Sequence, residues 1–225
     1  MCGIVGYVGD KDATPIVIDG LAKLEYRGYD STGIAVIDGD KIQVRRDSGK
    51  ISKLRKLIAE NPISGGPGIG HTRWATHGEP NEKNAHPHIG SKGKVVIVHN
   101  GIVENYQEIK DELQSEGVIF NSDTDTETIV QLIEKHLNSG LSLENSIRAT
   151  LKRIRGSHGI VVISTTEPEK IIAARIGNAG GVVIGLGENE NFIASDIPAI
   201  LAHTNKMIFL NSEQIAILTK NDAVI

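Results

Sequence analysis

The strongest constraint on the fold is the order of the chain's apolar segments. Short runs open it, three helical patterns follow in the middle, and short runs return in the last third. Residues 4–8, 34–37, 42–44, 68–74 and 95–98 read as strands, the last continuously apolar, as in a strand covered on both faces. Ile16, Gly20 and Leu24 mark an early helix, and residues 51–59 a second. Three helices are then expected, one on Tyr106, Ile109 and Leu113, one on Ile129, Leu132 and Ile133, and one on Leu143, Ile147, Leu151 and Ile154. Strands return at 159–164, 170–175, 182–185, 192–194, 207–210 and 215–218. Most connections are too short for parallel crossovers, and Asp38-Gly39-Asp40 is a hairpin signal. The expectation is an α+β fold, with two mainly antiparallel sheets stacked between helical layers.

Composition narrows the class. At 225 residues the chain can bury a core without a disulfide or metal staple, and no repeat or linker breaks it, so residues 1–225 read as one domain. Lys plus Arg number 24 against 28 Asp plus Glu, a balance that argues against a nucleic-acid binder. The single cysteine, Cys2, leaves no internal disulfide and fits a reducing compartment. No apolar run approaches the roughly 20 residues of a membrane span, and Asp10, Lys11 and Asp12 interrupt the one signal-peptide candidate. A cytoplasmic domain with no membrane association is expected.

Four groups of residues have chemistry to offer. Cys2 reads either as a small residue beside a strand or, once Met1 is trimmed, as a thiol carrying its own α-amine as a base. Residues 71–78 (His-Thr-Arg-Trp-Ala-Thr-His-Gly) run off a strand into a long irregular segment. There Arg73 is either a surface ion pair or a fork for a carboxylate, and Trp74 either a core aromatic or a lid against water. His99-Asn100-Gly101 ends a buried strand, as a hairpin turn or as an oxyanion hole made of an amide and a glycine N–H. Thr124-Asp125-Thr126-Glu127 has capping-box form, with Thr124 as N-cap and Glu127 at N3, while Asp125 complements the helix end or holds an ammonium. The histidines lack acidic or Cys partners at metal-ligand spacing, so no metal or other cofactor is expected. Thiol, oxyanion hole, Arg and Asp together suit an amino acid with an amide side chain, glutamine or asparagine.

The ordered motifs carry a resemblance. Met1-Cys2-Gly3-Ile4-Val5-Gly6 and Leu24-Glu25-Tyr26-Arg27-Gly28-Tyr29-Asp30-Ser31 open it, and His71–Pro80 and Asn84-Ala85-His86-Pro87-His88 continue it. His99-Asn100-Gly101, Thr124–Glu127 and Glu190–Asp196 follow in order. Together they resemble the glutaminase domains of the glucosamine-6-phosphate synthase (glutamine–fructose-6-phosphate aminotransferase) family. These are class II glutamine amidotransferases of the N-terminal-nucleophile type. The resemblance implies a four-layer αββα sandwich. It implies that Cys2 forms a γ-glutamyl thioester and releases ammonia, with Asn100 and Gly101 stabilising the oxyanion. By the same resemblance Arg73 and Asp125 hold the α-carboxylate and α-amino group of L-glutamine. Thr76, His77 and His86 help line the pocket, and Trp74 gates ammonia. The ammonia would pass to a C-terminal sugar-isomerase half, absent from this chain, within a homo-oligomeric full-length enzyme of amino-sugar biosynthesis. The alternatives are a catalytically silent glutamine-sensing module and a stand-alone amidase for another amide. Two departures stand out: Asn178-Ala179-Gly180-Gly181 replaces a small residue followed by Pro-Leu, and His158 stands where an aromatic is common.

Overall fold

A computed structural model of the chain describes residues 2–74 and 79–225. The first strand, β1 (Gly3–Gly9), sits near the middle of a seven-stranded sheet with β2 (Ser31–Asp38), β3 (Lys41–Ser48), β4 (Gly68–Arg73), β9 (Val183–Leu186), β10 (Glu190–Ala194) and β11 (Lys206–Phe209). The order is β11-β9-β10-β1-β4-β2-β3. A second, six-stranded sheet runs β13-β12-β8-β7-β6-β5. Its strands are β5 (His88–Ile89), β6 (Val95–Gly101), β7 (His158–Ser164), β8 (Ile171–Ile176), β12 (Gln214–Leu218) and β13 (Ala223–Val224). Every strand pairing among the described residues is antiparallel. Helices α1 (Ala13–Lys23) and α2 (Ile51–Glu60) cover the first sheet, and α3 (Tyr106–Ser115), α4 (Thr126–Asn138) and α5 (Leu143–Leu151) cover the second.

Period-2 alternation sorts the apolar residues into three layers. Ile4 and Val8 of β1, Ile69 of β4, Val96 and Val98 of β6 and Val161 of β7 meet between the sheets. Val5 and Tyr7 turn outward onto Val17 and Leu21 of α1, while Val95 and Ile97 turn onto Ile129 and Ile133 of α4. The architecture is the expected four-layer αββα sandwich. The hairpin turn falls at Gly39-Asp40, where Gly39 supplies a φ of +59°. Asn100 and Gly101 form no turn; they continue β6 in register with Gly159 and His158 of β7. The short strands β5 and β13 were not legible in the sequence, since two residues set no period.

The expected capping box does not form. Asp125, not Thr124, precedes the first helical residue of α4, and its side chain caps nothing there. Glu127 instead accepts from the Asn121 and Ser122 N–H groups (2.8 and 2.7 Å) and the Ser122 hydroxyl (2.6 Å). Three donors on the preceding turn outbid the single N–H that a capping box offers.

The inter-sheet layer should dominate stability. Ile69→Ala, in a fully buried position of that layer, should cost about 2–5 kcal/mol in urea unfolding. Ile119→Ala, on the surface, should stay within about 0.5 kcal/mol of the parent.

Candidate active site

Cys2 immediately precedes β1, and the β1–β4 register continues from Gly3 opposite Thr72 to bring it beside the end of β4. The Trp74 N–H donates to Cys2 Sγ at 3.2 Å, and Sγ lies 3.6 Å from the Trp74 carbonyl. Burial raises the Cys2 thiol above its ordinary value, while the Trp74 N–H and the Arg73 and Arg27 guanidinium groups act in the opposite direction. The Cys2 backbone is held from two sides: Arg27 Nε donates to its carbonyl at 3.1 Å and Asn100 Nδ2 at 3.2 Å. Arg27 is braced in turn by Asp196 (2.7 Å), which also accepts from the Tyr26 hydroxyl (2.8 Å). At Gly28 a Cβ would lie 2.6 Å from the Arg73 carbonyl carbon, so only glycine lets this loop lie against the end of β4.

These residues open onto a cavity of about 260 Å³, lined by Cys2, Trp74, Asn100 and Gly101 and by residues 178–180. Gly101 has a φ of +142°, and a Cβ there would lie 2.2 Å from the Ser157 carbonyl oxygen. Trp74 is half exposed at the mouth, edge-on to Tyr29 with ring centroids 6.0 Å apart. Arg73 and Asp125 are buried beside the cavity rather than in its described wall. Burial lowers the Arg73 guanidinium pKa, while Cys2, Asp125 and Asp30 raise it. Asp125 Oδ2 accepts from the Val103 N–H at 2.7 Å, which fixes the carboxylate two residues beyond Gly101. Thr76 and His77 lie outside the described residues.

His86 lies under the site, not in the cavity wall. Its ring stacks on His71 at 4.3 Å, and its Nε2 meets Thr126 Oγ1 at 3.1 Å. It belongs to a hydrogen-bonded chain whose direction is fixed at one end. His158 Nε2 lies 3.2 Å from the Arg155 carbonyl, which only accepts, so Nε2 carries the proton. A neutral His158 then accepts at Nδ1 from His99 Nε2 (3.1 Å), and His99 Nδ1 accepts from the Thr126 hydroxyl (2.8 Å). Thr126 is left to accept from His86. Burial keeps the chain neutral: it holds His86, His88 and His99 well below the ordinary histidine value and His71 down at about 4. Among the described residues no three His, Cys, Asp or Glu side chains converge to hold a metal ion, and no helix is long and apolar enough to cross a membrane.

The glutamine amidotransferase domain family matches residues 71–202, more than half of the chain. The chain belongs to this family. It is 48% identical over all 225 residues to the glutamine–fructose-6-phosphate aminotransferase (isomerizing) of Thermococcus kodakarensis, covering 37% of that protein. It is 51% identical over 219 residues, 97% of the chain, to the enzyme of the same name from Aquifex aeolicus, covering 36% of it. The chain thus spans little more than a third of these relatives. A solved structure of the allosteric regulatory enzyme of purine biosynthesis superposes with a TM-score of 0.84 at 26% identity, over 97% of this chain and 47% of that one. The glutamine phosphoribosylpyrophosphate amidotransferase of B. subtilis shares the fold, with a TM-score of 0.83 at 24% identity over 99% of this chain and 48% of that one.

Within this amidotransferase domain the sequence alone did not single out Arg27 or His71. His71 carried a usable signal, because alternation from Ile69 places it on the inter-sheet face. The buried histidines also set an acid limit. Their folded pKa values lie below the unfolded value of about 6.5, so the unfolded chain binds more protons as the pH falls. Stability should hold above about pH 6.5 and fall between there and pH 4, by roughly 1.4 kcal/mol per pH unit for each histidine so affected. Thermal unfolding followed from pH 7.5 to 4.5 tests this; a level melting temperature would contradict neutral buried rings.

Proposed function

We propose that this domain hydrolyses L-glutamine to glutamate and ammonia, and that Cys2 is the nucleophile. The observation that carries the reading is the meeting of Cys2, Asn100 and Gly101 around one cavity, with a buried Arg73 and Asp125 near it. With Met1 removed, the α-amine of Cys2 takes the thiol proton, and sulfur attacks the side-chain carboxamide carbon of glutamine. Asn100 Nδ2–H and the Gly101 N–H receive the oxyanion. Collapse breaks the C–N bond, and the leaving nitrogen takes the proton from the α-ammonium and departs as ammonia. Water then attacks the γ-glutamyl thioester, giving its proton to the amine, and the thiol is restored as glutamate leaves.

Arg73 pairs with the α-carboxylate of the substrate and Asp125 with its α-ammonium. Thr76, His77 and Trp74 complete the pocket, with Trp74 covering the exit for ammonia. His86 serves from below by holding Thr126 and His71. We place residues 1–225 as one amidotransferase domain of a cytoplasmic, homo-oligomeric enzyme. Its sugar-isomerase half takes the ammonia and makes glucosamine 6-phosphate from fructose 6-phosphate. The names of the two relatives, at 48% and 51% identity, support that assignment.

Chain confirmed by intact mass to lack Met1 should release glutamate from L-glutamine, and Cys2→Ala should abolish the release. Asn100→Ala should lower kcat by about 10²–10³-fold, the loss expected for one oxyanion donor. Glutamine binding without turnover in the processed parent chain would instead indicate a sensing module.

A further inference from the structure

The Asn100 carboxamide is nearly symmetric in shape, and only its hydrogen bonds decide which end faces the nucleophile. Its Nδ2 lies 3.2 Å from the Cys2 carbonyl, and its Oδ1 lies 3.0 Å from His71 Nε2. The Cys2 carbonyl accepts only, so nitrogen must face it and oxygen must face His71. His71 Nε2 must then carry the ring proton. Two observations agree. His71 Nδ1 is buried with no hydrogen-bond partner among the described residues, so a proton there would be unsatisfied. Burial also holds the ring neutral near pH 7, leaving one ring proton to place.

The ring itself has little freedom. It is 1% exposed, on the inter-sheet face of β4, and it stacks on His86, which Thr126 holds. Without the Nε2–H, the Cys2 carbonyl alone among the described partners distinguishes the two ends of the amide, and Oδ1 is left buried without a donor. The amide then tilts toward other donors, and its Nδ2–H leaves the position where negative charge develops.

We propose that His71 is a positioning residue that locks the Asn100 carboxamide with Nδ2 toward Cys2 and the cavity, so that the oxyanion donor is set before substrate arrives. This rests on the glutaminase reading above and adds a residue to it. The role is electrostatic preorganisation, in which the donor does not reorient during the reaction.

The test compares Met1-free parent chain with His71→Phe, His71→Gln and His71→Asn. Phenylalanine keeps a ring against His86 but removes the donor. Glutamine can place an amide N–H near the Nε2 position, whereas asparagine reaches only the Nδ1 position. His71→Phe should lower kcat by about 100-fold, within the range for losing an oxyanion donor, with KM for L-glutamine within about twofold. Alkylation of Cys2 by iodoacetamide should keep its rate, because that displacement forms no oxyanion. His71→Gln should recover at least tenfold in kcat over His71→Asn, a comparison of two polar variants that holds even if His71→Phe does not fold. Equal kcat in the Gln and Asn variants, unchanged kcat in a folded His71→Phe, or a parallel fall in alkylation would each overturn the proposal. Failure of the parent chain to release glutamate would instead overturn the glutaminase reading itself.

Discussion

The face-to-face packing of two sheets is the constraint on which the rest of the structure depends. It fixes which side chains share the inter-sheet layer, and alternation then carries that layer from core to site. Along β4 the inward positions are Ile69, His71 and Arg73; along β6 they are Val96, Val98 and Asn100. The apolar members weld the sheets together, and two residues further on the same faces bring His71 onto Asn100. A slip of one residue in either strand would turn those polar groups outward and bury Thr72 or His99 between the sheets. The hydrophobic register is therefore also the register of the chemistry.

Burying so many polar groups requires that they bond one another. The histidines do this by direction. One carbonyl, that of Arg155, fixes the tautomer of His158, then of His99, then the hydroxyl of Thr126 at the start of α4. The neutrality imposed by burial makes the arrangement consistent, since a protonated ring would confront a donor with a donor. This chain joins β7 and β6 of the second sheet to the helix start that carries Asp125. His158, where an aromatic is common in the family the chain resembles, fits here because its two ring nitrogens both find partners.

The sequence made the fold legible wherever a segment was long enough to show a period. It also marked Cys2, Asn100 and Gly101, whose residue types and positions point to nucleophile and oxyanion chemistry and which the structure sets around one cavity. Local pattern failed where tertiary donors competed. Glu127 has capping-box spacing, yet Asn121 and Ser122 offer its carboxylate more hydrogen bonds than a cap would. His86 sits in a motif with the look of a pocket wall, but the sequence does not say that its partners are His71 and Thr126 below the cavity. Arg27 is brought to the Cys2 carbonyl by a contact across 25 residues, and no short-range pattern encodes that.

The cavity is lined by strand ends and by a loop. Cys2, Asn100 and Gly101 sit at the ends of β1 and β6, where Arg27 hydrogen-bonds the Cys2 carbonyl and His71 the Asn100 carboxamide. The loop at 178–180 completes the lining, with Gly180 at a φ of +102°. Preorganised charge stabilisation needs donors that do not move, and strand ends provide them. The departure at Asn178–Gly181 falls on that loop. On the proposed glutaminase reading, a change at 178–181 therefore alters the cavity's lining while leaving Cys2, Asn100 and Gly101 on their strand ends.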